Sequence, residues 1–339
     1  QMILGLLLFS SQSFAFDEGV LSIASNHKVY YKYAKAETGK PTVVMLNGLI
    51  YPVSNWASYF NELEKAGFGV LQVAYSTHPE SMRTLDEAPY FQVGYGAFYN
   101  AFLEYKLETQ TLVDEVMAVV DSLKIKKFHL LTLSYSSIVG APLAHQNQDR
   151  VEKLLLIAPA MKAGNRYVPG LETQHQGFEF SRMFNPVGTD ATYDSVVYSL
   201  ISPTVTPLSQ KDKSVEFLPF FSGVYQMARS AKWFELFDYV DLDLPPTTLF
   251  LAEKEEEALL KDQIKFWDDL EKNPAKRDSV LFEGAFHALP GAYPKITAEK
   301  TIEWLEGGLP EGDSELKAVG KPGKDTTTSS APWSSSSSK

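Results

Sequence analysis

The chain has no cysteine among its 339 residues, which excludes disulfide staples, thiolate catalysis and cysteine-ligated zinc. Positive charge is also scarce. Against 42 Asp and Glu there are 31 Lys and Arg, giving a formal net charge of −11, and no basic run occurs. A nucleic-acid footprint needs a basic stripe, so DNA and RNA are not expected partners. No stretch reaches the roughly 18 consecutive apolar residues that a membrane-spanning helix requires, so no transmembrane segment is expected. Nothing in the pattern calls for a metal or an organic cofactor. Apolar and aromatic residues are plentiful, at 44% and 13%, enough for a sizeable core without covalent support.

The two ends differ from the middle. Residues 1–15, QMILGLLLFSSQSFA, carry a short apolar run from Ile3 to Phe9, then small polar residues and a Ser13-Phe14-Ala15 close. This resembles a signal peptide with its cleavage site and predicts a secreted or periplasmic protein. Residues 311–339 are rich in Ser, Thr, Gly, Pro and Lys and end in SSSSSK. That composition cannot bury enough apolar area to order itself, so a disordered tail is expected.

Between the ends, short apolar and β-branched runs alternate with segments of helical period, the pattern of an α/β fold with a mostly parallel sheet flanked by helices. Gly19 to Ala34 reads as two antiparallel strands joined at Asn26-His27. Strands follow at Thr42–Leu46, Gly69–Ala74, Lys126–Leu133, Val151–Ala158, Thr247–Leu251 and Ser279–Phe282. Helices are expected at Trp56–Lys65, with Gly67 suited to its C-terminal end, and at Leu107–Leu123, Ser136–Gln146 and Ile296–Leu305. Two segments interrupt this rhythm: an aromatic stretch at 86–106, and residues 161–244 between two core strands. The second is too long for a loop and carries Phe178, Phe180, Phe184, Phe220, Phe221, Trp233 and Phe237, which predicts a mainly helical cap. The domain plan is therefore a core of 16–160 and 245–310 with a cap of 161–244 inserted.

The chemically informative stretch is the strand-to-helix junction Thr132-Leu133-Ser134-Tyr135-Ser136, which reads small-x-Ser-x-small. A serine on such a turn sits in a strained conformation that lifts its hydroxyl clear of the sheet, and the flanking positions must be small for strand and helix to approach. Ser136 and Ser137 are rival nucleophiles, but a centre at Ser136 puts Ile138 where a small residue is needed. A plain helix N-cap is the alternative use of such a serine.

On these residues the chain resembles the α/β-hydrolase superfamily, whose G-x-S-x-G nucleophile elbow matches residues 132–136 in place, though both glycines are replaced. The resemblance spans roughly residues 20 to 306. It implies a chain order of serine, acid, histidine. His287 follows the last core strand in Glu283-Gly284-Ala285-Phe286-His287 and matches the superfamily's histidine loop. The acid falls after the strand Thr247–Leu251, in Ala252-Glu253-Lys254-Glu255-Glu256-Glu257, where Glu255 fits the family spacing and Glu256 is a rival. Oxyanion donors are implied at the backbone N–H groups of Tyr135 and of Leu49, the latter in Asn47-Gly48-Leu49.

A serine nucleophile with an imidazole base points to acyl transfer on a small-molecule ester, and the aromatic cap favours an apolar or lipid-like acyl group. Two further readings stay open. One is an aminopeptidase of the proline-iminopeptidase type, with Glu172, Glu179 or Glu216 of the cap receiving an ammonium. The other is a non-catalytic binding protein on the same fold, which the missing elbow glycines favour.

Overall fold

Strands buried on both faces read as continuous apolar runs rather than alternating ones, and five such runs form the middle of the sheet. The computed structural model describes residues 16–24, 27–49, 53–82, 108–162, 227, 234–308 and 317–319. The leader expected at 1–15, the aromatic stretch 86–106 and most of the cap at 161–244 lie outside the described residues. β1 (Phe16–Ala24) and β2 (His27–Ala34) form an antiparallel hairpin that joins β4 (Gly69–Ala74). β3 (Thr42–Leu46), β5 (Phe128–Leu133), β6 (Val151–Ile157), β7 (Thr247–Ala252) and β8 (Lys276–Phe282) run parallel to β4. With β9 (Lys317–Val319) at the far edge, the strand order is β1-β2-β4-β3-β5-β6-β7-β8-β9.

The order reverses at β3. The chain steps from β3 outward to β4, then crosses back to place β5 on the other flank of β3. In open α/β sheets the crevice outside the carboxyl ends of the strands at such a reversal is where ligands bind, because the loops diverge there. The loops leaving β3 and β5 therefore border the natural site.

Side chains of alternate strand residues feed two cores. Val43, Met45, Leu131 and Leu133 face α1 (Ala57–Lys65), α6 (Leu289–Ala292) and α7 (Pro294–Leu305) through Phe60, Leu63, Leu289 and Trp304. Val44, Leu46, Leu130 and Leu156 face α3 (Thr109–Ser122), α4 (Ser137–Gln146) and α5 (Glu257–Asp269) through Val116, Val139 and Phe266. One turn of helix, α2 (Pro79–Met82), follows β4. Each fully buried side chain of this size contributes about 1.5–3 kcal/mol. Tyr59 of α1 and Thr301 of α7 share a buried hydroxyl hydrogen bond of 2.7 Å. α1 ends at Ala66, and Gly67 takes φ +83°, the left-handed position that turns the chain back toward β4.

The structure departs from the expected elements in particular places. Lys317–Val319, inside the segment expected to be disordered, forms a short strand β9 parallel to β8. An open sheet edge offers backbone N–H and C=O groups, and these can order three residues that composition leaves unordered. β8 begins at Lys276 rather than Ser279, its first residues being polar. Helix α5 was hidden behind the acidic run 253–257. The closing helix, whose pattern puts Ile296, Ile302 and Leu305 inward, buries Thr297, Thr301 and Trp304 along with Leu305 in α7, while Ile296 and Ile302 pack only partly against the core.

His129 lies buried in β5, its ring edge-on to Trp304 at 5.8 Å. Burial first, and then the charge of Lys153, lower its pKa from 6.5 to about 4. The unfolded chain binds this proton and the folded chain does not, so stability falls as pH drops from about 6.5 toward 4, by up to about 3 kcal/mol from this residue. Urea unfolding at pH 4.5 and pH 7 should differ less for His129→Leu than for the parent chain. Equal differences would show that His129 carries none of the acid lability.

Candidate active site

Strand β5 ends at Leu133, and the next residue breaks the strand in a costly way. Ser134 adopts φ +54°, in the left-handed region that side chains other than glycine rarely enter. Such a conformation costs about 1–2 kcal/mol and persists only where surrounding contacts impose it. Ala160 N–H donates to the Ser134 carbonyl at 3.0 Å. The buried Ser137 hydroxyl lies 2.8 Å from that carbonyl and 2.9 Å from the carbonyl of Ala160. A 3-10 turn, Ser134–Ser136, then leads into α4.

The replaced glycines have identifiable substitutes. A β-carbon at Gly140 of α4 would fall 2.3 Å from Thr132 Cγ2, so the absent side chain at 140 makes room for the methyl at 132. The glycine that lets helix and strand approach here sits on the helix, at 140. At the second position, Ser136 is fully buried; its hydroxyl donates to the Asn47 carbonyl and accepts from Tyr75 OH at 3.0 Å. The hydroxyls of Ser136 and Ser137 are thus committed inside the protein. Ser134 remains half-buried, and among the described residues its hydroxyl makes no hydrogen bond.

Across the same carboxyl edge, the loops after β7 and β8 are joined. Glu253 N–H donates to Phe282 O at 3.2 Å, Lys254 N–H to Ala285 O at 2.8 Å, and Gly284 N–H to Glu253 Oε2 at 2.6 Å. This brings Glu255 Oε2 onto His287 Nδ1. A carboxylate only accepts, so Nδ1 carries the proton and Nε2 is left as the acceptor. Glu255 is 6% exposed and His287 23%. Burial disfavours the His287 imidazolium, but the charge and hydrogen bond of Glu255 outweigh it and hold the pKa above the usual histidine value. Of the two glutamates in contention, Glu256 does something else: it is the N-cap of α5, accepting from Leu259 N–H at 2.8 Å.

The turn after β3 carries Asn47, Gly48 and Leu49. Asn47 is buried and its Oδ1 accepts from Gln72 Nε2 at 2.9 Å. His78 Nδ1 accepts from Tyr75 N–H at 3.0 Å, and His78 Nε2 lies 3.4 Å from Gly48 O. Among the described residues, then, three assemblies border one edge: the elbow at Ser134 and Tyr135, the turn at Leu49, and the Glu255–His287 pair. The pair is closed by a hydrogen bond, while none joins His287 to Ser134. From the sequence, Gln72 is assigned no part, His78 is only a histidine in no position to act as a base, and Ser136 is a small elbow residue or a rival nucleophile rather than a hydrogen-bonding link. Gln72 was the available signal, since a glutamine inside a buried strand must find a partner.

Among the described residues no cluster of His, Asp or Glu could hold a metal ion, and no helix is long and apolar enough to cross a membrane. No protein-family model matches the chain, and no curated protein matches it either. Solved structures do. An enol-lactonase from Burkholderia xenovorans LB400 is 18% identical, with 83% of this chain and 97% of that one covered and a TM-score of 0.55. An alpha/beta hydrolase from a Medee basin deep-sea metagenome library is 14% identical over 85% and 97%, with a TM-score of 0.56. An esterase from Exiguobacterium antarcticum is 14% identical over 83% and 96%, with a TM-score of 0.57. At such identities the likeness establishes architecture: the chain has the α/β-hydrolase fold.

The exchange of space between Thr132 and Gly140 gives a direct test of the elbow's packing. Gly140→Ala alone should destabilise the protein by about 1–3 kcal/mol through overpacking. Adding Thr132→Ser, which removes the opposing methyl, should recover most of that loss in chemical unfolding. Strict additivity of the two changes would show that the sites do not share one space.

Proposed function

We propose that the chain is a serine hydrolase that cleaves a carboxylic ester through an acyl-enzyme on Ser134. The observation that carries this reading is the left-handed Ser134 at the β5–α4 turn, on the same sheet edge as a bonded Glu255–His287 pair. Among the described residues the Ser134 hydroxyl makes no hydrogen bond, and a strained serine with its hydroxyl left over fits a nucleophile raised above the sheet.

In the proposed cycle His287 Nε2 takes the Ser134 proton as Oγ attacks the acyl carbon, and Glu255 stabilises the imidazolium through Nδ1. The N–H groups of Leu49 and Tyr135 receive the oxyanion. His287 then returns the proton to the departing alkoxide, and water repeats the sequence on the acyl-enzyme. Aromatic content of the segments at 86–106 and 161–244 supports an apolar acyl group as substrate. The apolar leader at 1–15 supports export, and hence a secreted or periplasmic site of action.

A fluorophosphonate probe should label the chain at Ser134 and not label Ser134→Ala; labelling elsewhere, or none, overturns the reading. Aryl esters should be turned over and peptide amides not.

The pH profile provides a second test. Catalysis needs neutral His287, whose pKa is held above 6.5 in the fold. Activity should therefore fall on the acid side with a midpoint above 6.5. Glu255→Gln should move that midpoint down and reduce turnover on the order of 10³–10⁴-fold. A midpoint unchanged by Glu255→Gln would remove Glu255 from its role.

A further inference from the structure

Resting on that reading of the site, we propose that His78 and Ser136 are positioning residues that aim the Leu49 N–H at the substrate oxygen, each by holding one carbonyl of the turn that carries it. A trans peptide is planar, with its C=O and N–H pointing in opposite directions. The Gly48 carbonyl and the Leu49 N–H belong to one such plane. A donor that fixes the direction of the Gly48 oxygen thereby fixes the Leu49 N–H, and His78 Nε2 stands 3.4 Å from that oxygen.

The imidazole is itself held. Its Nδ1 accepts from Tyr75 N–H at 3.0 Å, which leaves the proton on Nε2, facing Gly48. The ring stacks on Tyr75 at 5.2 Å with an interplanar angle of 19°, and it is fully buried. Burial keeps it neutral down to about pH 4, so this donor does not switch across the working range of a histidine base.

Ser136 holds the preceding plane. Its hydroxyl donates to the Asn47 carbonyl and receives Tyr75 OH at 3.0 Å. Because Ser136 follows Tyr135, this one link also sets the spacing between the two proposed oxyanion donors, Tyr135 N–H on the elbow and Leu49 N–H on the turn. A glycine at 136 could form no such link. Tyr75 joins the halves, its N–H orienting His78 and its hydroxyl orienting Ser136.

A purely structural role predicts lost stability with unchanged chemistry per folded molecule, so the test reads chemistry per active site. Ser136→Gly, His78→Leu and His78→Gln would be assayed on an aryl ester, with active sites counted by the end-point of fluorophosphonate labelling. Removing an oxyanion donor outright costs on the order of 10²–10³, so misaiming one should lower kcat by about 10–100-fold. The expected result for Ser136→Gly and His78→Leu is that loss in kcat with KM within about 2-fold, and an equal weakening of a trifluoromethyl ketone that forms the tetrahedral adduct. His78→Gln, which keeps a donor and an acceptor, should recover most of the activity. Wild-type kcat per labelled site in Ser136→Gly and His78→Leu overturns the proposal while leaving the nucleophile assignment standing. If His78→Leu does not fold, Ser136→Gly alone decides. Absence of labelling in the wild-type chain overturns the proposal together with the reading beneath it.

Discussion

The left-handed backbone of Ser134 is the constraint on which the rest of the site depends. A parallel strand that must turn at once into a helix can do so in one residue only by leaving the ordinary regions of φ, and here that residue is a serine at φ +54°. The cost of about 1–2 kcal/mol is offset by contacts on both sides of the turn. Ala160 and Ser137 hold its carbonyl, and the glycine at 140 lets α4 lie against Thr132. Each of these has a consequence for chemistry, because together they determine where the hydroxyl stands and where the next N–H points.

Around this turn the protein buries polar groups that an apolar core would otherwise exclude. Asn47, Gln72, His78 and Ser136 are all at or near zero exposure. A buried polar group without a partner costs roughly 1–3 kcal/mol; Gln72 bonds Asn47, Ser136 bonds Tyr75 and the Asn47 carbonyl, and His78 bonds the Tyr75 N–H and lies against the Gly48 carbonyl. The network ties the ends of β3, β4 and β5 together at the reversal in strand order. Rigid support beneath loops that would receive a reacting group fits a site whose dipoles are oriented before substrate arrives. The Glu255–His287 pair is supported differently, by backbone bonds that join two loops above adjacent strands.

Much of the fold was legible in the sequence because parallel strands covered on both faces announce themselves as uninterrupted apolar runs. Thr42–Leu46 and Gly69–Ala74 are seen with the expected limits. Edge elements were less legible: β8 starts in polar residues, and β9 lies in a segment whose composition argues for disorder, because edge pairing draws on backbone bonds that composition does not encode. The acidic run 253–257 holds three separate uses of glutamate, of which only the expected one at Glu255 was legible. Glu253 ties two loops, Glu255 meets His287 and Glu256 caps α5, distinctions that depend on partners up to 32 residues away. The supporting network was least visible, since Ser136 meets Asn47 across 89 residues and only the fold brings them together.

A crystal structure of the chain reacted with a phosphonate ester would show directly whether Ser134 is the nucleophile. Phosphorus should be bonded to Ser134 Oγ, with a phosphonyl oxygen accepting from the N–H groups of Leu49 and Tyr135, and His287 Nε2 directed at the serine oxygen with Glu255 on its other nitrogen. An adduct on another residue, or a phosphonyl oxygen turned to solvent with His287 remote from Ser134, would contradict the proposed mechanism.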